Sequence, residues 1–167
     1  MDEHTRVPRD SHVTMTEMVL PPDTNYHGTV FGGRVLQWID IAGAISAQRH
    51  ARGKVVTASI DDMHFLVPIR LGDTVILKAS VNYAHKTSME VGVRVEREPP
   101  TCEVREHAAT AYLTFVSVDE RGAPTTVCQL EPETPEEHRR YQDAQTRRAF
   151  RLERRKVLQA NRVSMTE

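Results

Sequence analysis

The chain predicts an α+β fold, an antiparallel sheet wrapped around one central helix, with a basic helix appended at the C-terminus. Three observations predict it. An apolar helical run occupies residues 33–50, four strand-like segments follow one another between Lys54 and Val118, and Thr134-Pro135-Glu136-Glu137 is a helix-start signal. A helix apolar on almost every side is usually buried, and a sheet of closely joined strands can bury such a helix only by curling around it. With 167 residues, 39% of them hydrophobic, the chain suits one domain plus an appendage.

The elements follow in order. Residues 1–12 are polar and read as a flexible N-terminus. The folded domain is expected over 13–131, opening with an alternating strand at Val13–Leu20 that Pro21-Pro22 ends. A loop from Asp23 to Phe31 leads to Gly32-Gly33, where the chain turns into the first helix, and Ala51-Arg52-Gly53 closes that helix. Strands are predicted at 54–66, 74–85, 88–98 and 103–118, separated by turn signals such as Leu71-Gly72-Asp73 and Glu98-Pro99-Pro100-Thr101. The third shows the alternation best, with Met89, Val91, Val93 and Val95 opposite Glu90, Gly92, Arg94 and Glu96. Residues 132–167 form a basic helical tail, with Thr134 as cap, Pro135 at the first helical position and Glu137 completing a capping box. Within it Arg140, Arg147, Arg151 and Arg154 fall on one positive stripe.

Composition narrows the function. A formal net charge of -1 argues against a general nucleic-acid binder. The N-terminal residues carry no apolar stretch of secretory type, and no run approaches the roughly 18 apolar residues of a membrane span. The expectation is a cytoplasmic protein that needs no membrane. Cys102 and Cys128 have no metal-type spacing and are expected as reduced thiols, so no metal site is predicted.

Asp40 lies inside the apolar helix. A buried carboxylate without partners is costly, so it must be neutralised, held by donors or used in chemistry. The helix start offers amides, expected from Gly32, Gly33 and Arg34, that could hold the charge a carbonyl gains during attack. Asp40 stands seven residues beyond Gly33, about 10 Å along the axis at 1.5 Å per residue. That separation favours a two-fold dimer in which Asp40 of one subunit faces the loop and helix start of the other. Its small helix neighbours, Gly43, Ala44 and Ala47, leave room for a ligand or another chain.

Thr24-Asn25-Tyr26-His27-Gly28-Thr29-Val30-Phe31-Gly32-Gly33, followed by Leu36, Asp40 and Gly43-Ala44, resembles the signature of the hotdog-fold acyl-coenzyme A thioesterases. Val55-Val56-Thr57, Phe65-Leu66-Val67-Pro68, Gly72-Asp73 and Lys86-Thr87-Ser88-Met89-Glu90-Val91 extend the match to residues 13–130. The resemblance implies an acyl-CoA hydrolase with no cofactor beyond the coenzyme A of its substrate. It implies Asn25 and Asp40 as a catalytic pair from opposite subunits, Gly33 with Gly32 as oxyanion donors, and a homodimer assembled further into a hexamer, a trimer of dimers. Lys86, Thr87 and Ser88, with Arg151, Arg154 and Arg155 of the tail, are the candidates for holding the coenzyme A phosphates. His27 is expected to be structural. A non-hydrolytic acyl-CoA or nucleotide sensor on the same fold is the alternative. A dehydratase is disfavoured because no histidine lies within a turn of Asp40, and an RNA-binding role because the chain has few aromatic residues for base stacking.

Overall fold

The structure, a computed structural model, describes residues 5–61, 63–101 and 104–163. Its strands are β1 (Thr5–Arg6), β2 (Val13–Met18), β3 (Lys54–Ile60), β4 (His64–Phe65), β5 (Thr74–His85), β6 (Ser88–Glu98), β7 (Glu106–Val118) and β8 (Gln129–Leu130). The helices are α1 (Gly32–Ala51) and α2 (Pro135–Val163). The main sheet runs β2-β5-β6-β7-β3, every pairing antiparallel, with β4 also paired to β7. Strands β2, β3, β5, β6 and β7 all touch α1, so the sheet curls around the helix as the sequence predicts.

The core lies between the inner face of the sheet and one side of α1. Val75, Leu77, Met89, Val91, Val93, Ala111, Leu113 and Phe115 meet Val35, Trp38, Ile39, Ala42 and Ala47. The composition suggests a helix buried all round, and the structure corrects this. Gln37, Ile41, Gln48 and Arg49 are exposed, and Leu36, Asp40, Ala44 and Ile45 are half-buried, so a partly apolar side of α1 faces away from the sheet. Gly43 also plays a different part from the one expected. A Cβ there would stand 3.1 Å from the Phe115 ring, so the missing side chain lets the sheet approach and leaves no space for a ligand.

Residues 5–12 are held, contrary to the expectation of a flexible terminus. β1 pairs in parallel with β8, and a short 3-10 turn at Pro8–Ser11 follows. The buried Ser11 hydroxyl donates to the Pro8 carbonyl (2.7 Å) and accepts the Val81 amide (2.9 Å). The β5–β6 register shifts between Val81 and Tyr83, and Ser11 supplies a partner to the amide beside that irregularity.

The single strand expected at 54–66 is two, β3 and β4. Ile60 pairs with Leu113 and His64 with Thr110, an unequal advance that breaks the ladder. Strand 103–118 starts at Glu106, and its expected first residue, Glu103, lies outside the described residues, as does Cys102 of the thiol expectation.

α2 begins with the capping box the sequence indicates: the Glu137 amide donates to Thr134 Oγ1 (3.2 Å) and the Thr134 amide to the Glu137 carboxylate (2.9 Å). Ala144 is fully buried and Tyr141 meets Tyr83 edge-on. The arginine stripe is largely occupied by the protein's own carboxylates. Arg147 pairs with Glu90 (2.7 Å) and lies over the Tyr112 ring, Arg151 reaches both Asp61 (2.6 Å) and Glu90 (3.1 Å), and Arg140 pairs with Glu136. Glu90 is only 2% exposed, and two guanidiniums make its burial tolerable.

Candidate active site

The loop before α1 is fixed by its own carboxylate and amide side chains. Asp23, buried, accepts the Leu20 amide (2.9 Å), pairs with Arg34 of α1 (2.8 Å), and receives the Phe31 amide on its carbonyl (2.9 Å). Asn25 is half-buried and closes a tight loop: its Oδ1 accepts the amides of His27 (2.9 Å) and Thr29 (3.3 Å), and its Nδ2 donates to Thr29 Oγ1 (3.0 Å). An amide nitrogen carries two protons, so one donor of Nδ2 remains for another partner. The His27 side chain is exposed and rests against the Tyr26 ring.

The loop delivers the chain to the start of α1, which no side chain caps. The Arg34 amide bonds to the Phe31 carbonyl (2.9 Å), so it is not the open donor the sequence reading supposes. The amides of Gly32 and Gly33 have no hydrogen-bond partner among the described residues, and both glycines are exposed. Two open N–H groups at the positive end of a 20-residue helix form a site for negative charge.

Asp40 is two turns further along, on the side of α1 beneath β3. The Thr57 hydroxyl donates to its Oδ1 at 2.7 Å. Thr57 is a residue the sequence reading places in a strand but gives no role. It sits where the β3–β7 register shifts between Thr57 and Ser59, an irregularity of the kind that re-aims a side chain. β3 ends the main sheet, with one edge bonded to β7 and the other open among the described residues. Asp40 and Thr57 therefore meet at an unpaired sheet edge.

From that edge a groove of about 1350 Å³ runs to the tail helix. Ala58, Ser59 and Ile60 of β3, Thr87 and Ser88 at the start of β6, and Arg148, Arg151, Arg154 and Arg155 of α2 are among the residues that line it. Five of the six residues the sequence nominates for phosphates thus share one groove. Lys86 is outside its lining, at a turn where it takes a left-handed φ of 50° and its carbonyl accepts the Val127 amide (2.8 Å). Arg151 is already paired, whereas Arg148, Arg154 and Arg155 have no ion pair among the described residues. His85, at the adjoining hairpin, is held below its ordinary pKa by desolvation and then by the positive charges of Arg148 and Lys86. Among the described residues no three metal-ligating side chains converge, and no helix is long and apolar enough to cross a membrane.

Comparison with known proteins agrees with this architecture. Residues 27–104 match the model of the thioesterase superfamily. The chain is 43% identical to an acyl-CoA thioester hydrolase of Bacillus subtilis over 93% of its length and 91% of the relative's. It is 38% identical to acyl-coenzyme A thioesterase 11 of mouse, of which it spans 24%. Among solved structures, the acyl-CoA hydrolase of Staphylococcus aureus, studied with butyryl coenzyme A, coenzyme A and coenzyme A disulfide, superposes with a TM-score of 0.89 at 36% identity, covering 98% of this chain and 99% of that one. Structures of that enzyme include variants with an asparagine, an aspartate and a threonine each replaced by alanine. A hexameric acyl-CoA thioesterase gives a TM-score of 0.87 at 42% identity, covering 90% and 97% of the two chains. By sequence and by its hotdog fold, the chain belongs to the acyl-CoA thioester hydrolases of the thioesterase superfamily.

Proposed function

We propose that the protein hydrolyses acyl-CoA to a free carboxylic acid and coenzyme A, with Asp40 as general base and Asn25 of a second subunit completing the site. The observation that carries this reading is the Thr57–Asp40 hydrogen bond at an open sheet edge. It fixes the carboxylate and leaves its other oxygen for a water. In the Staphylococcus aureus enzyme the substituted asparagine, aspartate and threonine are 15 and 17 residues apart, and Asn25, Asp40 and Thr57 have the same two spacings.

In this mechanism Asp40 takes a proton from the water as its oxygen attacks the thioester carbonyl. The spare donor of Asn25 orients the water or the carbonyl. Negative charge gathers on the carbonyl oxygen, where the amides of Gly33 and Gly32 receive it. Collapse of the tetrahedral species breaks the carbon–sulfur bond, and the thiolate leaves, taking up the proton Asp40 held. Water is the sole co-reactant, and coenzyme A enters only as part of the substrate. Thr87, Ser88, Arg154 and Arg155 grip its phosphates in the groove, with Arg151 as a fixed charge behind them.

The active unit is a homodimer joined along β3, and three dimers make a hexamer. The open edge supports this, as do Val56, Ile60 and Ile41, exposed by 49%, 43% and 43% around it, and the hexameric relatives. We place the activity in the cytoplasm, in keeping with relatives named as cytosolic hydrolases. The test is thiol release from acyl-CoA. Asp40→Asn is expected to lower kcat by about 100- to 10,000-fold, the range of a general base, with the fold retained. Tight acyl-CoA binding without turnover in the unaltered protein would select the sensor instead.

A further inference from the structure

A second cleft, of about 330 Å³, opens directly beside Gly32. Its walls are the apolar side chains of Val30, Phe65, Leu66, Val67 and Ile69 together with Pro68. Thr29 adds a hydroxyl that already accepts Asn25 Nδ2. The Phe65 ring rests over the helix start, its Cε2 3.5 Å from where a Gly32 Cβ would stand. Phe65 and Leu66 are 48% and 59% exposed, so two large apolar side chains stand open at the mouth of an apolar cleft.

We propose that this cleft holds the acyl chain of the thioester and that Phe65 sets the chain length it accepts. The proposal rests on the thioesterase reading above and adds a substrate class to it. The unpartnered amides at the helix start belong to Gly32 and Gly33, and Gly32 also lines this cleft, so a thioester carbonyl held by those amides stands at the cleft's edge. The pantetheine arm is a poorer occupant. Its amides need hydrogen-bond partners when they leave water, and of the wall side chains only Thr29, already engaged with Asn25, carries a polar group. The groove along β3, with its serines, threonine and arginines, suits the polar half of the substrate instead.

The volume sets a length. At about 30 Å³ for a water-sized group, about 330 Å³ holds at most roughly ten chain atoms, an upper bound that favours medium over long acyl chains. Each methylene that enters raises kcat/KM by about fourfold until the space is filled.

The experiment is thiol release from saturated acyl-CoAs, acetyl through palmitoyl, by the unaltered protein and by Phe65→Trp, Phe65→Ala and Leu66→Trp, with the assembly state of each measured by sedimentation. The expected optimum is a medium chain. Phe65→Trp moves it shorter by about two carbons through lost space, and Phe65→Ala moves it longer. Leu66→Trp carries the same test should a change at Phe65 prevent folding. If no acyl-CoA is hydrolysed, the thioesterase reading fails and this proposal with it. If acyl-CoAs are hydrolysed and every variant keeps the original length profile, the cleft assignment alone is overturned. A changed assembly with an unchanged profile overturns it as well, because a second copy of the chain then covers Phe65.

Discussion

At the scale of the residue, the contact on which the proposed chemistry turns is the Thr57 hydroxyl on Asp40, at 2.7 Å. A hydrogen bond to a charged group contributes about 1.5–3 kcal/mol. Thr57→Ala is therefore expected to lower kcat by about 10- to 100-fold, since about 1.4 kcal/mol is a factor of ten, while KM changes little. Thr57→Ser keeps the hydroxyl and should restore most of the rate. An alanine variant with unaltered kcat, or a serine variant as slow as alanine, would show that the bond does not position the base. Asp40 and Asn25 stand out in the sequence because one is a charge in an apolar helix and the other precedes a glycine-rich helix start. Thr57 does not. It is one threonine among several in strand-like segments, and only the register shift between Thr57 and Ser59, invisible to a period-two pattern, couples it to α1.

At the scale of the element, α1 carries a second consequence at its far end. His50 is fully buried, its Nε2 is 2.9 Å from the Cys128 carbonyl, and its Nδ1 is buried without a partner. Desolvation lowers its pKa below 6.5 and the charge of Arg6 adds to that, against the opposing bond to Cys128 and the charge of Asp10. The folded state thus binds this proton less readily than the unfolded chain does. Stability from His50 is complete above pH 6.5 and falls as the pH drops below it, by up to about 1.4 kcal/mol per pH unit until the folded-state pKa is reached. Urea unfolding at pH 7.5 and pH 5.5 should show this loss. His50→Gln should be less stable at the higher pH yet flatter between the two, and an unchanged slope would remove His50 as the cause. The helices and long strands that frame this histidine are legible in the sequence because burial imposes their periods. The anchoring of residues 5–12 is not. It depends on one serine hydroxyl meeting one strand amide and on a two-residue ladder to β8, neither of which leaves a hydrophobic pattern.

At the scale of the whole molecule, the proposed mechanism divides its site into two halves on a single chain. Asn25 and the open amides of Gly32 and Gly33 lie at the helix start, while Asp40 and Thr57 lie farther along α1 at the free edge of β3. Seven residues of helix between Gly33 and Asp40 span about 10 Å, too far for one water to join carboxylate and oxyanion donors within one copy. The dimer proposed above, with its two-fold axis beside β3, meets this geometry, because an isologous contact brings each half-site to the other's complement. Subunit mixing tests this directly. Asp40→Asn and Asn25→Ala homodimers should each be nearly inactive. After the two are unfolded together and refolded in equal amounts, half the dimers are hybrids, and each hybrid has one site with both Asn25 and Asp40 intact. Roughly a quarter of the original thiol-release rate should then return. A site contained in one chain would recover nothing, since neither variant subunit carries both residues.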